Sequence, residues 1–263
     1  MSLTVQQLWT AMLAEADAFG RSEPVLASFY HASILNHGSF AGALSFQLAS
    51  KLGCDSVPDM LIRDVAAEVY VADPSVLASA VADICAHYDR DPACDHYGMP
   101  FLYFKGFQAI QAQRIAHWLW GQGRESLALF LQNRIATVFD VDIHPAARIG
   151  AGIMVDHATG VVIGETAIIG NNVSMLHSVT LGGCGRGRGQ RHPQIGDGVL
   201  IAAGAKVLGN IHIGEGAKIA AGSVVLNTVA PHTTVAGVPA RPVGQPSKDI
   251  PALNMDQHIN GDS

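Results

Sequence analysis

Apolar and polar positions follow two different rules along this chain, and the rule changes near residue 140. Before that point the apolar residues recur at helical spacing. Thr4 to Gln7 forms a capping-box pattern, with Leu8, Met12 and Leu13 following on one side. Asp73-Pro74 places a capping carboxylate before a proline. Val76, Leu77, Ala80, Val81 and Ile84 then continue a helical stripe. Further helices are predicted from Phe107 to Trp120 and from Glu125 to Val138.

After Asp142 the aliphatic period becomes six. One series runs Ile143, Ile149, Val155, Val161; a second, slipped by two, runs Ile163, Ile169, Met175, Leu181. A third runs Ile195, Ile201, Val207, Ile213, Ile219, Val225. Neither a helix nor an alternating strand has this period. A hexapeptide repeat does, and it specifies a parallel β-helix in which the aliphatic residue points inward. Between Leu181 and Ile195 the spacing carries eight residues too many, so the glycine-rich stretch 182–193 must loop out of the coil. It lacks the G-K-[ST] ending of a nucleotide-binding P-loop. The pattern thus predicts an α+β chain. A helical domain covers 1–140, a β-helix covers 141–244, and a polar tail, mobile at its end, covers 245–263.

Composition narrows the function. The 263 residues carry a formal net charge of -6, which argues against a general nucleic-acid binder or an anionic-membrane binder. No run of apolar residues is long enough to span a bilayer, and the N-terminus lacks the basic region of a signal peptide. Cys54, Cys85, Cys94 and Cys184 form no C-x-x-C pair and read as reduced thiols of a cytoplasmic protein.

One feature of the repeat is chemical. Asp156-His157 sits directly after the inward Val155, at outward places where stacking makes no demand. The motifs "VDIHP", "DHATG", "SVTLGG", "RHP" and "PHTTVAGVPARPVG", with "DRDPACD" and "LYFKGFQAIQAQRIAHWLW" in the helical half, closely resemble the bacterial serine O-acetyltransferase family. The resemblance is strong over residues 60–245 and looser before them. It implies a left-handed β-helix and trimers, often paired into hexamers, with sites at subunit boundaries. It also implies acetyl transfer from acetyl-CoA to the L-serine hydroxyl, the committed step toward cysteine.

Residue by residue, the resemblance makes His157 the general base and Asp142 its carboxylate partner. A serine hydroxyl needs such a base to attack a thioester, and imidazole titrates closest to working pH. A carboxylate on the other ring nitrogen fixes the tautomer. Asp91 and Asp156 would hold the substrate ammonium, Arg191 would hold its carboxylate, and His192 would complete the pocket. Gly183, Ala203 and Ala221 would admit acetyl-CoA, and Lys218 would meet a CoA phosphate or else point into solvent. His144 reads as structural, and His177 has no assigned role. No metal or redox cofactor is expected, because the thioester is already activated. L-cysteine, a close mimic of serine, is the expected inhibitor.

Three alternatives remain at this point. A zinc-dependent trimer of the carbonic-anhydrase kind would recruit His157, His177 and His192. A non-enzymatic scaffold would need none of these residues. A related transferase would use another acceptor, such as homoserine or a sugar. One departure concerns partners: the family commonly ends in an isoleucine that enters O-acetylserine sulfhydrylase, whereas this chain ends in Ser263, which leaves that complex open without making it an expectation.

Overall fold

The computed structural model describes residues 3–185, 187 and 189–259. Its first half is helical. Val5–Ser22 begins at the capping box: the Thr4 side chain accepts from the Gln7 amide, and the Gln7 side chain accepts from the Thr4 amide. Helices Phe40–Leu52, Asp59–Ala72, Ser75–Arg90, Lys105–Gly121 and Glu125–Phe139 follow. Asp73 does cap the fourth of these six, its Oδ1 accepting from the Ser75 amide at 3.0 Å. The Lys105–Gly121 helix is buried on nearly all sides, so it shows no amphipathic stripe. No single described helix is long and apolar enough to cross a membrane.

At Asp140 the chain turns through a left-handed residue (φ 58°) and enters the strand Val141–Ile143. From there it winds into a parallel β-solenoid of about five turns, the architecture of a left-handed β-helix. Short strands stack into three sheets of five, four and six strands. Each ladder aligns the inward aliphatics: Ile143 with Ile163, Ile163 with Leu181, Ile149 with Ile169, and Val155 with Met175. All of these except the half-buried Ile149 lie in the core. Glycines follow the inward residues at Gly150, Gly196 and Gly214 because an added Cβ would run into the backbone of the next coil.

The two-residue slip is not where the apolar series alone placed it. Val161 and Ile163 are both inward residues of one strand, 1% exposed, matching Val141 and Ile143 below them. The extra residues lie earlier, in the corner Asp156–Gly160. There the chain spends five residues where the next coil spends three, Leu176–Ser178. The insertion therefore falls on the corner that carries the polar pair.

The sequence left the course of the tail open. After an antiparallel hairpin of Thr234–Gly237 and Ala240–Gly244, residues 245–259 fold back onto the six-stranded sheet. Ala252 is fully buried, and Ser174 Oγ donates to its carbonyl at 2.9 Å. Pro251 and Ala252, inside a polar tail, supply the burial. The end of the tail, residues 260–263, lies outside the described residues.

Polar groups tie the two halves together. Asp83, fully buried, accepts from Arg114 Nη2 at 2.8 Å, from Gln111 Nε2 at 2.9 Å and from the Ile153 amide at 2.8 Å. Arg114 donates onward to the carbonyls of Ile149 and Gly150. Arg90 donates to Ser174 Oγ at 3.0 Å. At Gly106 the Lys105–Gly121 helix packs so closely on the solenoid that an added Cβ would overlap the Val155 carbonyl oxygen.

Candidate active site

The widened corner sets the position of His157. Asp156 donates its amide to the Met175 carbonyl and so keeps step with the coil. His157 and Ala158 then take successive left-handed conformations, φ 58° and 59°, a strained pair that lifts the imidazole out of the coil. Ala158 is buried beneath it, and Lys105 Nζ donates to Thr159 Oγ1 at 2.6 Å. The corner is thus clamped between the solenoid and the helical domain.

Against this corner lies a cavity of about 370 Å³, with Asp91, Asp156, His157, Lys105, Tyr103 and His87 in its wall. Asp91 comes from the helical half, at the end of the Ser75–Arg90 helix, and one of its oxygens accepts from the Ala93 amide at 2.9 Å. Asp156 Oδ2 stands 3.5 Å from His157 Nε2. Burial raises the pKa of Asp156, the His157 imidazole counters that rise, and the Asp91 carboxylate adds to it. Two carboxylates sharing a cavity favour a bound cation.

Arg191 and His192 occupy a different corner, where the 182–193 loop rejoins the coil. Thr166 organises that return: its Oγ1 accepts from the amides of Arg191 (3.0 Å) and His192 (3.1 Å). The Thr166 amide donates to His192 Nδ1 at 3.2 Å, and its hydroxyl lies 2.8 Å from the same nitrogen. With Nδ1 accepting, the proton of the neutral ring sits on Nε2. Burial and the neighbouring Arg191 charge lower the His192 pKa, which keeps the ring neutral. Its edge packs over Gly164, where a Cβ would overlap the ring, and over Gly183. Arg191 Nη2 pairs with Glu165, whose pKa that hydrogen bond lowers. Two loop arginines, Arg186 and Arg188, lie outside the described residues.

The sequence-predicted residues therefore fall into two groups. Asp91, Asp156 and His157 meet in one cavity. Asp142 does not join them: it accepts from Gln132 Nε2 at 2.8 Å on the outer face of the five-stranded sheet and makes no hydrogen bond to His157. The expected Asp142–His157 pair is thus not formed within one chain, because Asp142 points outward from a strand while His157 rides on the bulged corner. Burial lowers the His144 pKa, and Glu165, Asp142 and Arg191 are near enough for their charges to act on it. His177 stands beside His157, the ring centroids 5.8 Å apart, but His192 is on the other corner, so the three histidines do not converge in one chain. Among the described residues, no group of three or more His, Cys, Asp or Glu is placed to hold a metal ion.

Ala203 and Ala221 stack one coil apart on the His157 side, the Gly222 amide donating to the Ala203 carbonyl at 2.8 Å. Gly183 lies on the other corner beside His192. Lys218 departs from the solvent-facing expectation for it. It is 2% exposed beneath the tail and donates to the His258 carbonyl. Burial lowers its pKa. The sequence reading missed Glu165 and Thr166, which align the loop return, and Lys105 and His87 in the cavity wall. Only His87 left a signal, as a polar residue on the Ala80–Ile84 core stripe.

A hexapeptide solenoid with a histidine and carboxylates on its outer corner defines a transferase of the hexapeptide-repeat class, and the family described as "Bacterial transferase hexapeptide (six repeats)" matches residues 192–227. "Serine acetyltransferase, N-terminal" matches residues 8–112. The serine acetyltransferase of Escherichia coli K12 is 59% identical over 254 residues, covering 97% of this chain and 93% of that protein. A serine acetyltransferase solved in complex with cysteine superposes with a TM-score of 0.95 at 52% identity, covering 97% of this chain and 99% of the other. One solved in complex with CoA gives a TM-score of 0.88 at 52% identity, covering 91% and 100%. This chain belongs to the serine acetyltransferase family.

Proposed function

We propose that this protein transfers the acetyl group of acetyl-CoA to the hydroxyl of L-serine, giving O-acetyl-L-serine and CoA on the route to cysteine. The observation that carries the reading is the cavity in which Asp91, Asp156 and His157 converge. The serine ammonium lies against the two carboxylates. This places the hydroxyl at the His157 ring, which removes its proton as the oxygen attacks the thioester carbonyl. The imidazolium that forms is stabilised by carboxylate, Asp156 from its own corner and Asp142 from the other group. The tetrahedral intermediate collapses, the C–S bond breaks, and the proton passes to the departing CoA thiolate. Gly183, Ala203 and Ala221 leave room for acetyl-CoA to approach the backbone.

Arg191 and the Nε2–H of His192 are donors suited to the substrate carboxylate. They stand on another corner of the same chain, so we place a complete site between two copies, in a trimer or a pair of trimers. L-cysteine carries the same ammonium and carboxylate and is the inhibitor this pocket would accept. The free thiols fit a cytoplasmic setting.

The test is thiol release from acetyl-CoA with L-serine. His157→Ala is expected to lose about 10²- to 10⁴-fold in kcat. Asp142→Asn should lose activity at an unchanged fold. Full activity in both variants would sink the mechanism, and turnover of homoserine but not serine would sink the acceptor.

A further inference from the structure

His87 is the one side chain in the cavity wall that its surroundings leave unexplained. It is 1% exposed and packed edge-on to Phe104 and Phe107, with ring centroids at 5.6 and 6.4 Å. Both ring nitrogens are buried, and among the described residues neither has a hydrogen-bond partner. Such groups are rare, and each unpaired polar atom costs about 1–3 kcal/mol. A leucine or phenylalanine would fill this space without that cost. The ring nevertheless forms part of the wall of the cavity that holds Asp91, Asp156 and His157.

An ammonium group has three N–H donors. Asp91 and Asp156 accept two of them. A third acceptor is needed inside the same cavity, and the other wall side chains do not offer it. Lys105 is itself a donor, committed to Thr159. The Tyr103 hydroxyl is shared with Tyr30 at 3.2 Å. His157 has to receive the hydroxyl proton. A neutral imidazole nitrogen of His87 is an unpartnered acceptor in that wall. Burial and the adjacent Arg90 charge push the His87 pKa down to about 3, so the ring keeps an open lone pair at working pH.

We propose that His87 is a substrate-binding residue that accepts a hydrogen bond from the ammonium group of the bound amino acid, with Asp91 and Asp156. The proposal rests on the reading that this cavity takes the amino acid. It adds a neutral acceptor from the helical domain to the two carboxylates, and makes that domain part of substrate recognition.

The experiment compares the intact enzyme with His87→Leu, His87→Gln and Asp156→Asn. His87→Leu removes both unpaired nitrogens, so its thermal midpoint is expected to hold or rise. Its KM for serine should rise about tenfold, the loss of one hydrogen bond to a charged group. KM for acetyl-CoA and kcat should stay within about threefold. The inhibition constant of L-cysteine should rise by the same factor, because cysteine shares the ammonium and differs only at the sulfur. His87→Gln, which keeps a neutral acceptor, should restore most of the serine affinity. An unchanged serine KM in His87→Leu, with a raised KM in Asp156→Asn, would overturn the role of His87 alone. An unchanged KM in both would overturn the assignment of the cavity itself, and the proposal with it. Weaker serine binding with unchanged cysteine inhibition would move His87 from the ammonium to the hydroxyl and also count against it.

Discussion

At His192 the protonation state follows from the neighbours. The Thr166 amide can only donate, so Nδ1 must accept, and the proton of the neutral ring stays on Nε2. The ring keeps that orientation because Gly164 beneath it has no Cβ. Gly164→Ala would therefore displace the imidazole while leaving the solenoid wound. We expect on the order of 10²-fold loss in kcat/KM, since small displacements of a positioning group cost that much. Steady-state kinetics with an unchanged circular dichroism spectrum would check it. His157 and Ala158 show the same logic from the backbone side. Two consecutive left-handed residues are costly, and they persist here where the corner is buried beneath and clamped from above.

The element that matters most is the corner Asp156–Gly160. A regular hexad corner, such as Leu176–Ser178, spends three residues and keeps its side chains near the coil. Two more residues lift His157 into the cavity. The slip was visible in the aliphatic series, but not its place, because Val161 and Ile163 both point inward and either could begin the next hexad. The Lys105–Gly121 helix completes the element by packing Gly106 onto the Val155 carbonyl. Gly106→Ala would force helix and corner apart. Overpacking of this kind costs about 1–3 kcal/mol. The expected result is a lower thermal midpoint together with a loss of kcat, because the same shift moves His157. A thermal melt run beside the thiol-release assay reads both.

On the scale of the whole molecule, the residues that suit serine chemistry are divided between two corners. One carries Asp91, Asp156 and His157; the other carries Arg191 and His192, with Asp142 on the sheet between. If the site forms between copies, then His157→Ala and Arg191→Ala chains, each weak alone, should complement when co-expressed. Mixed assemblies would contain some boundaries with both halves intact, and recover a fraction of wild-type turnover. No recovery in verified mixed assemblies would place the whole site in one chain. The sequence by itself determined the two-part architecture and the outward place of Asp156-His157 on its corner, because period and motif are local properties. It could not place the tail on the sheet, bury Lys218, separate Asp142 from His157, or bring His87 to the wall beside Asp91. Those depend on which corner, coil and helix face each other. Contacts of that kind join residues far apart along the chain, 84 positions in the hydrogen bond between Arg90 and Ser174, and only packing in three dimensions fixes them.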